Sequence, residues 1–204
     1  MRQTFFKTLP ALLALVILTS CIGTSSRLNL TYNPIAGTTT INHATVQLVV
    51  VDGRQTPNLV GRTAQSQELF KGSQGGMVDF MITVPSGQTV SRSLMSVEQV
   101  VFEAVRERLR LLGVAANTGS SGAKCRVTVN IADFVLDVSG SDVVAHVRLE
   151  AVMDRPGYEL VNRSWAEADS SRRKLIGDMG GADALSEALT MAVNRLNFAS
   201  LDQY

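Results

Sequence analysis

The strongest constraint on the fold is a run of three long segments in which apolar and polar residues alternate. The segments cover 124–138, 142–153 and 158–169, and glycine-containing stretches separate them. Alternation with a period of two predicts β-strands with one buried face. Pro156-Gly157 suits a type II turn. We therefore predict a three-strand antiparallel meander, with a β-bulge near Ala132-Asp133, where the alternation changes phase.

Two further segments have the periodicity of amphipathic α-helices. Between 93 and 112, apolar residues recur at three- and four-residue spacing, and Ser96-Val97-Glu98-Gln99 fits a capping box, with Ser93 as a competing cap. The second segment is 182–201, with an acidic residue near its start and Arg195 near its end, as the helix dipole favours.

The order of these elements predicts the fold class. The β-branched run at 44–51 is typical of an inner strand, and a right-handed crossover through the first helix could place it parallel to a meander strand. Two helices packed on one face of a mixed, mainly antiparallel sheet bury both apolar stripes. We therefore predict a single α+β domain over 44–204, since 204 residues is an ordinary length for one domain.

The N-terminus has the pattern of a lipoprotein signal peptide over residues 1–20. Arg2 and Lys7 precede an apolar core of the length that a secretory signal requires, and this core is too short to span a bilayer comfortably. It ends in Leu18-Thr19-Ser20-Cys21, which resembles the lipobox of bacterial lipoproteins. In a lipobox, the cysteine thiol is the attachment point for diacylglycerol. We therefore predict lipid attachment at Cys21.

Acylation of Cys21 would hold the protein at a membrane. One acyl chain binds a bilayer only marginally, whereas a triacylated cysteine has more than the two chains that stable anchoring needs. Ile22 follows the cysteine where aspartate would favour retention at the inner membrane, so enterobacterial sorting rules favour the outer membrane, with the inner membrane as the alternative. The segment 21–43 is rich in Thr, Ser, Asn and Gly and predicts a lipidated N-terminus followed by a flexible tether.

Charge and cysteine content exclude some classes of protein. The chain has 19 Lys+Arg and 18 Asp+Glu, which excludes the basic surface of a general nucleic-acid binder. Its two cysteines cannot form a disulfide framework. Once Cys21 is acylated, Cys125 has no partner in the chain. We predict that Cys125 is a small buried hydrophobe, with an intermolecular disulfide or a reactive thiol as the alternative in an oxidising compartment.

Few residues are candidates for catalysis or for metal binding. His43 precedes the first strand and His146 lies on the polar side of its strand, and neither has another His or Cys at metal-ligand spacing. Asp133 and Asp137 share a face like paired catalytic carboxylates, but carboxylates at hairpin edges are usually solvated. The cluster Arg172-Arg173-Lys174 predicts a solvated loop, with contact to anionic headgroups as the alternative. We predict no catalytic residue, no cofactor and no metal site.

Several short motifs occur in an order that resembles the YajG-like family of bacterial lipoproteins. After the lipobox cysteine, these are Leu30-x-Tyr32-x-Pro34, Val49-Val50-Val51-Asp52-x-Arg54, Leu59-Val60-Gly61, Leu111-Leu112-Gly113, Val127-x-Val129-x-Ile131 and an Ala-rich C-terminal helix. That family is largely uncharacterised. The resemblance therefore implies an envelope lipoprotein and supplies no catalytic residues.

These observations predict a lipid-anchored, periplasm-facing envelope lipoprotein that acts as a non-catalytic binding or assembly accessory. Its expected partners are the membrane, through Cys21, and an envelope protein. One alternative is an auxiliary lipoprotein of an envelope transport system. A second alternative is a cell-wall enzyme.

Overall fold

The computed structural model describes most of the chain after the predicted signal peptide. The described residues are 27–35, 41, 45–56, 58–61, 63, 79–84, 89–91, 95–120, 122–123, 125–155, 157, 161–173 and 179–203. Cys21, His43 and Lys174 therefore lie outside the described residues, as does the signal peptide.

Eight strands and two α-helices are described, in an order that confirms the predicted fold class. In chain order they are β1 (Arg27–Thr31), β2 (Thr45–Asp52), β3 (Asp79–Thr83), β4 (Thr89–Ser91), α1 (Val97–Leu111), β5 (Ala115–Asn117), β6 (Cys125–Ser139), β7 (Asp142–Asp154), β8 (Val161–Arg173) and α2 (Met179–Arg195), followed by a 3-10 helix at Ala199–Gln203. One mixed sheet has the strand order β5-β2-β6-β7-β8, and a smaller sheet has the order β1-β3-β4. Both helices pack against one face of the larger sheet. In the part of the chain described, no helix is long and apolar enough to cross a membrane.

The predicted meander is confirmed as β6-β7-β8. Both strand pairs are antiparallel, and the β6–β7 register shifts between Ile131 and Asp133, where the bulge was predicted. Strand β2 pairs parallel with β6, as the crossover argument expected. Gly157 has a φ of 86°, as the third position of a type II turn requires.

Two boundaries differ from the sequence predictions. Residues 170–173 were predicted as the start of a loop, but β8 continues to Arg173, which pairs with Asp142 of β7. Helix α2 begins at Met179 and ends at Arg195, so it starts and ends earlier than the predicted 182–201. The alternation of apolar and polar residues stops after Asp169, so no pattern marks 170–173 as strand, whereas pairing along the whole of β7 stabilises it here.

The core lies between the larger sheet and the helices. Its fully buried residues include Val101, Val105 and Leu109 of α1, Leu185, Leu189 and Val193 of α2, and Val127, Val129 and Ile131 of β6. The capping box of α1 is confirmed, because the Gln99 N–H donates to Ser96 Oγ and the Ser96 N–H donates to Gln99 Oε1, both at 3.3 Å. The predicted apolar faces are therefore the ones that the fold buries.

The N-terminal segment differs most from its prediction. A flexible tether was expected over 21–43, but β1 pairs parallel with β3, and Leu28, Leu30 and Tyr32 are buried. The tether prediction is therefore wrong for 27–35. The prediction failed because this short stretch alternates apolar and polar residues over too few positions to be recognised as a strand. The elements that bury it lie far along the chain.

Side chains of α2 hold the backbone that continues from β1. The N–H groups of Thr31, Asn33 and Ile35 donate to three side-chain oxygens of α2 at distances of 3.0, 3.2 and 3.2 Å. The acceptors are Ser186 Oγ, Thr190 Oγ1 and Asn194 Oδ1, spaced by four residues. Two residues of extended chain and four residues of helix advance by nearly the same ~6 Å, so the two elements run side by side in one direction.

Candidate functional site

The face of the larger sheet that lies opposite the helices, which we call the outer face, carries the candidate polar residues. It is formed by the residues that alternate with the buried ones, namely 47, 49 and 51 of β2, 126, 128, 130, 133, 135, 137 and 139 of β6, the even-numbered residues of β7 and the odd-numbered residues of β8. An antiparallel sheet that is covered on one side commonly leaves its other side to solvent. The outer face is therefore available for contacts.

One half of the outer face, towards the β6–β7 turn, carries a network of ion pairs. His146 Nδ1 lies 2.7 Å from Asp169 Oδ1, and His146 Nε2 lies 3.8 Å from Asp133 Oδ2. Arg148 Nη2 lies 2.9 Å from the same Asp133 oxygen. The prediction that His146 lies on the polar side of its strand is confirmed. The structure adds that carboxylates face both nitrogens of its ring.

The structure brings together three groups that could hold a metal ion. His146, Glu167 and Asp169 each place one ligand atom within 4.8 Å of the others. The two carboxylates are exposed, and Asp169 already pairs with the imidazole. Sequence spacing missed this grouping because it depends on the register of β7 and β8, which sets His146 opposite Asp169.

The two aspartates that were considered as a catalytic pair have different partners. Asp133 binds Arg148 and faces His146, whereas an oxygen of Asp137 accepts a hydrogen bond from the Val138 N–H at 2.8 Å. Asp133 is therefore a member of the ion-pair network, and Asp137 binds backbone. Neither arrangement resembles two carboxylates placed around one scissile bond.

A buried carboxylate marks the middle of the outer face. Glu150 is almost fully buried, and it accepts hydrogen bonds from Asn130 Nδ2 and Arg163 Nη1, both at 3.1 Å. Burying a charge is costly unless it is paired. The amide and the guanidinium provide that pairing, and Glu150 lies directly across from Trp165 in the β7–β8 register.

The other half of the outer face exposes three large hydrophobic residues among polar ones that include Asn130, Glu150 and Arg163. Trp165, the only tryptophan of the chain, is 60% exposed, Val161 is 47% exposed and Val51 is 42% exposed. These are three of the four large hydrophobic residues that are exposed in the described chain, and the fourth, Ile35, lies beside α2. Asn130 and Glu150 lie between Val51 and Trp165 in the strand register, so Trp165, Val161 and Val51 form a discontinuous set, which we call the apolar patch.

Sequence reasoning did not single out Trp165, although a signal for it was present. Ala166 and Ala168 are buried, so alternation along β8 turns Trp165 to the opposite face. Tryptophan is costly to leave in water, since it carries the largest apolar surface of any side chain. A tryptophan at an outward position of a half-buried strand therefore departs from the alternation of buried apolar and exposed polar residues.

A groove of about 710 Å³ lies on the helix side of the sheet, between α1 and strands β2 and β5. Leu48, Val50 and Phe102 line it, and Arg106 lies over the Phe102 ring at 5.8 Å from its centre. Arg106 also pairs with Glu103 one turn away. Glu98 also lines the groove, so its charged lining has one carboxylate more than it has cations.

Cys125 is buried, which confirms its prediction as a small hydrophobe. Its Sγ lies 3.2 Å from the carbonyl oxygen of Asp154, to which the thiol donates. Burial, together with the negative charge of Asp154, raises the pKa of this thiol to about 11. Because the thiolate is the reactive form, the raised pKa and the burial of Cys125 disfavour its reaction at neutral pH.

Comparison with known proteins finds similar folds and no sequence family. No family model and no curated protein sequence matches the chain, so the resemblance to the YajG-like family stays a prediction. A DUF330 protein from Xanthomonas campestris is 14% identical, with 86% of this chain and 95% of that one covered and a TM-score of 0.47.

Two other similar structures come from further bacteria. PelC from Paraburkholderia phytofirmans, described as a dodecamer, is 10% identical over 80% of this chain and 96% of its own, with a TM-score of 0.42. Lipoprotein GNA1162 from Neisseria meningitidis is 13% identical over 72% of this chain and 94% of its own, with a TM-score of 0.28. Likeness at this level does not establish a shared function.

Proposed function

We propose that this protein is a lipid-anchored envelope lipoprotein that faces the periplasm and binds a partner protein through the apolar patch. Its anchor is Cys21, and its membrane is the outer membrane. Its role is that of a non-catalytic binding or assembly accessory. The observation that carries the proposal is the exposure of Trp165 on a sheet face that no described element covers.

Trp165 has the properties of an interface anchor. Tryptophan is among the residues that contribute most to binding energy at protein interfaces, where it fills a pocket at the centre of the contact. Val161 lies on the same face of the same strand, about 13 Å before Trp165 with Arg163 between them, and adds a second exposed apolar side chain. A partner with a hydrophobic recess fits this patch.

The charges around the patch favour a partner held by apolar contact. Arg163 pairs with Glu150, and Arg148 pairs with Asp133, so their charges are already compensated within the face. His146 has carboxylates at both ring nitrogens, an arrangement that holds an imidazole in place and differs from a base beside a nucleophile. These pairs support a binding role in preference to a cell-wall enzyme.

Replacing Trp165 by alanine is expected to abolish partner binding while the fold persists. A photo-crosslinking amino acid at Val161, introduced into the full-length protein in intact envelopes, should give a discrete protein adduct that mass spectrometry identifies. The adduct should disappear in the Trp165→Ala background. Because Trp165 is exposed, the substitution should change the free energy of unfolding by less than about 1 kcal/mol.

Ile35 provides the matched control for this experiment. It is 65% exposed and hydrophobic, and it lies beside α2 instead of on the outer face. The crosslinker at Ile35 should give no such adduct, and Ile35→Ala should leave the Val161 adduct intact. An adduct that survives Trp165→Ala, or no adduct combined with altered peptidoglycan products in a deletion strain, would contradict the proposed function.

Replacing Cys21 by serine is expected to remove the membrane anchor. The variant lacks the thiol to which diacylglycerol attaches, so it should incorporate no labelled palmitate and remain uncleaved at the inner membrane or be released in soluble form. Fractionation of envelopes with palmitate labelling measures both properties. Wild-type protein that carries no palmitate, or a Cys21→Ser variant that still fractionates with the outer membrane, would show that lipid is not the anchor.

A further inference from the structure

The position at which the chain leaves the folded domain towards Cys21 is fixed. Strand β1 begins at Arg27, and the three hydrogen bonds from Thr31, Asn33 and Ile35 hold the following backbone on α2. Pairing with β3 from Arg27 onward holds the strand on its other side. The domain therefore releases its N-terminal segment at one defined place.

That place lies at one end of the larger sheet. Because β1 and α2 run side by side in the same direction, Arg27 lies level with the start of α2. The start of α2 in turn adjoins the end of β8, since a Cβ at Gly180 would lie 3.3 Å from the Arg173 carbonyl oxygen and Glu187 binds Arg172 at 2.8 Å.

The β7 start and the β6 end lie at the same end, because Asp142 pairs with both Arg173 and Ser139. We call this end, formed by the starts of β1 and α2 and by the turn between β6 and β7, the proximal end.

The segment between Cys21 and the domain is short. Five residues lie between Cys21 and Arg27, so six residue steps join the two positions. A chain of that length spans at most about 20–22 Å in any conformation, since each residue adds no more than ~3.3–3.6 Å. A lipid on Cys21 therefore keeps Arg27 within about 20 Å of the bilayer surface, in contrast to the longer reach of a tether that ends at residue 43.

We infer that the proximal end of the domain rests against the phospholipid surface that carries the anchor, and that the apolar patch lies farther out, on the part of the outer face that is distant from this surface. The inference rests on the proposed acylation of Cys21. Trp165 lies eight residues before Arg173 on β8, and at ~3.3 Å per residue this places it about 26 Å along the strand from the proximal end. The indole of Trp165 therefore contacts a protein and does not reach the lipid.

The charges at the proximal end do not set this orientation. Arg172 pairs with Glu187, Arg173 lies across from Asp142 and Arg27 lies across from Asp79, so described cations and carboxylates there are nearly balanced. Electrostatic attraction to anionic headgroups is consequently small. The orientation follows from chain length, and it should be the same on neutral and on anionic membranes.

Fluorophores at two positions of the same strand and the same face test the inference. Ser171 is near the proximal end of β8 and Val161 is at its other end, about 33 Å away at ~3.3 Å per residue. Each residue is replaced by cysteine in the full-length acylated protein, labelled at neutral pH, and reconstituted into phosphatidylcholine vesicles with nitroxide-labelled headgroups. Buried Cys125 has a raised pKa and takes up little label, which the unsubstituted protein measures.

The expected result is quenching several-fold stronger at Ser171→Cys than at Val161→Cys, with the same ratio when anionic phospholipid is added. A flexible Gly-Ser insertion of about 20 residues between Ser25 and Ser26 has a mean reach of roughly 25 Å of its own. It should lower quenching at Ser171→Cys several-fold, towards the value at Val161→Cys.

Three results would overturn the inference. These are equal or stronger quenching at Val161→Cys, a ratio that needs anionic lipid, and a ratio that the insertion leaves unchanged. Mass spectrometry of the purified protein distinguishes failure of the proposed anchor, because an unmodified Cys21 would be seen before reconstitution. An acylated Cys21 combined with any of the three results would refute the orientation alone.

Discussion

Replacing Tyr32 by alanine is expected to lower the free energy of unfolding by about 3–5 kcal/mol, the range for removing a buried aromatic ring. Tyr32 is 0% exposed, and its hydroxyl donates to Asn194 Oδ1 at 3.0 Å. The substitution would leave a cavity between the end of β1 and α2. Chemical denaturation of the domain that begins at Ser25 measures the change.

Tyr32→Phe is the matched control, because it keeps the ring and removes only the hydroxyl. It should cost about 0.5–1.5 kcal/mol, since Asn194 Oδ1 still accepts the Ile35 N–H. Burial raises the pKa of Tyr32 above its usual 10.0, so the folded state favours the neutral phenol. The wild-type protein should therefore lose stability as the pH rises above 10, where the unfolded chain ionises, and Tyr32→Phe should lack this part of the loss. A Tyr32→Ala variant with the same free energy of unfolding as the wild-type protein would support the interpretation of 27–35 as a tether.

Replacing Leu109 by alanine is expected to cost about 2–5 kcal/mol, through lost transfer free energy and the cavity that remains. Leu109 is fully buried in the last turns of α1, on the face that packs against the sheet. The Val114 N–H donates to the Leu109 carbonyl at 2.9 Å, so the backbone here also ends the helix and is not free to collapse into the space. Urea denaturation, compared at constant m-value, measures the loss.

His146→Ala is the control for Leu109→Ala, because it tests a partly exposed residue of the outer face. His146 is about one-third exposed, and its partner Asp169 is exposed, so the pair is screened by solvent. The substitution should cost less than about 1 kcal/mol. Destabilisation equal to that of Leu109→Ala would mean that the His146 network is a structural core, and would contradict its description as a surface network.

The elements that could be predicted from sequence are those whose own residues repeat a pattern over many positions. β6, β7 and β8 alternate over 13 to 15 residues each, and α1 carries both an apolar stripe and a capping box. β1 could not be predicted in the same way. It has five residues, and its burial depends on β3 and on α2, which follows it by about 150 residues. A segment whose partners are that distant has no local signal for its burial.

For the candidate site, sequence predicted the face of each residue and not its neighbours. Alternation placed His146 among polar residues, which is correct. Its pairing with Asp169 depends on the β7–β8 register, and its approach to Asp133 depends on the bulge after Ile131, because the bulge changes which β6 residues lie on the outer face. The exposure of Trp165 was within reach of the same alternation, once β8 was aligned to bury Ala166 and Ala168.

The hydrogen bonds between the β1 segment and α2 also determine the order in which the chain can fold. They join residues 155 to 159 positions apart, so the first described strand completes its packing only when the last helix is present. Contacts of such separation close late, since the entropy of a long loop must be lost before they form. In the proposed export of the chain N-terminus first, β1 completes its packing only after α2 has crossed the inner membrane. Cys21 precedes β1, so in this proposal it is accessible to acylation before β1 packs on α2.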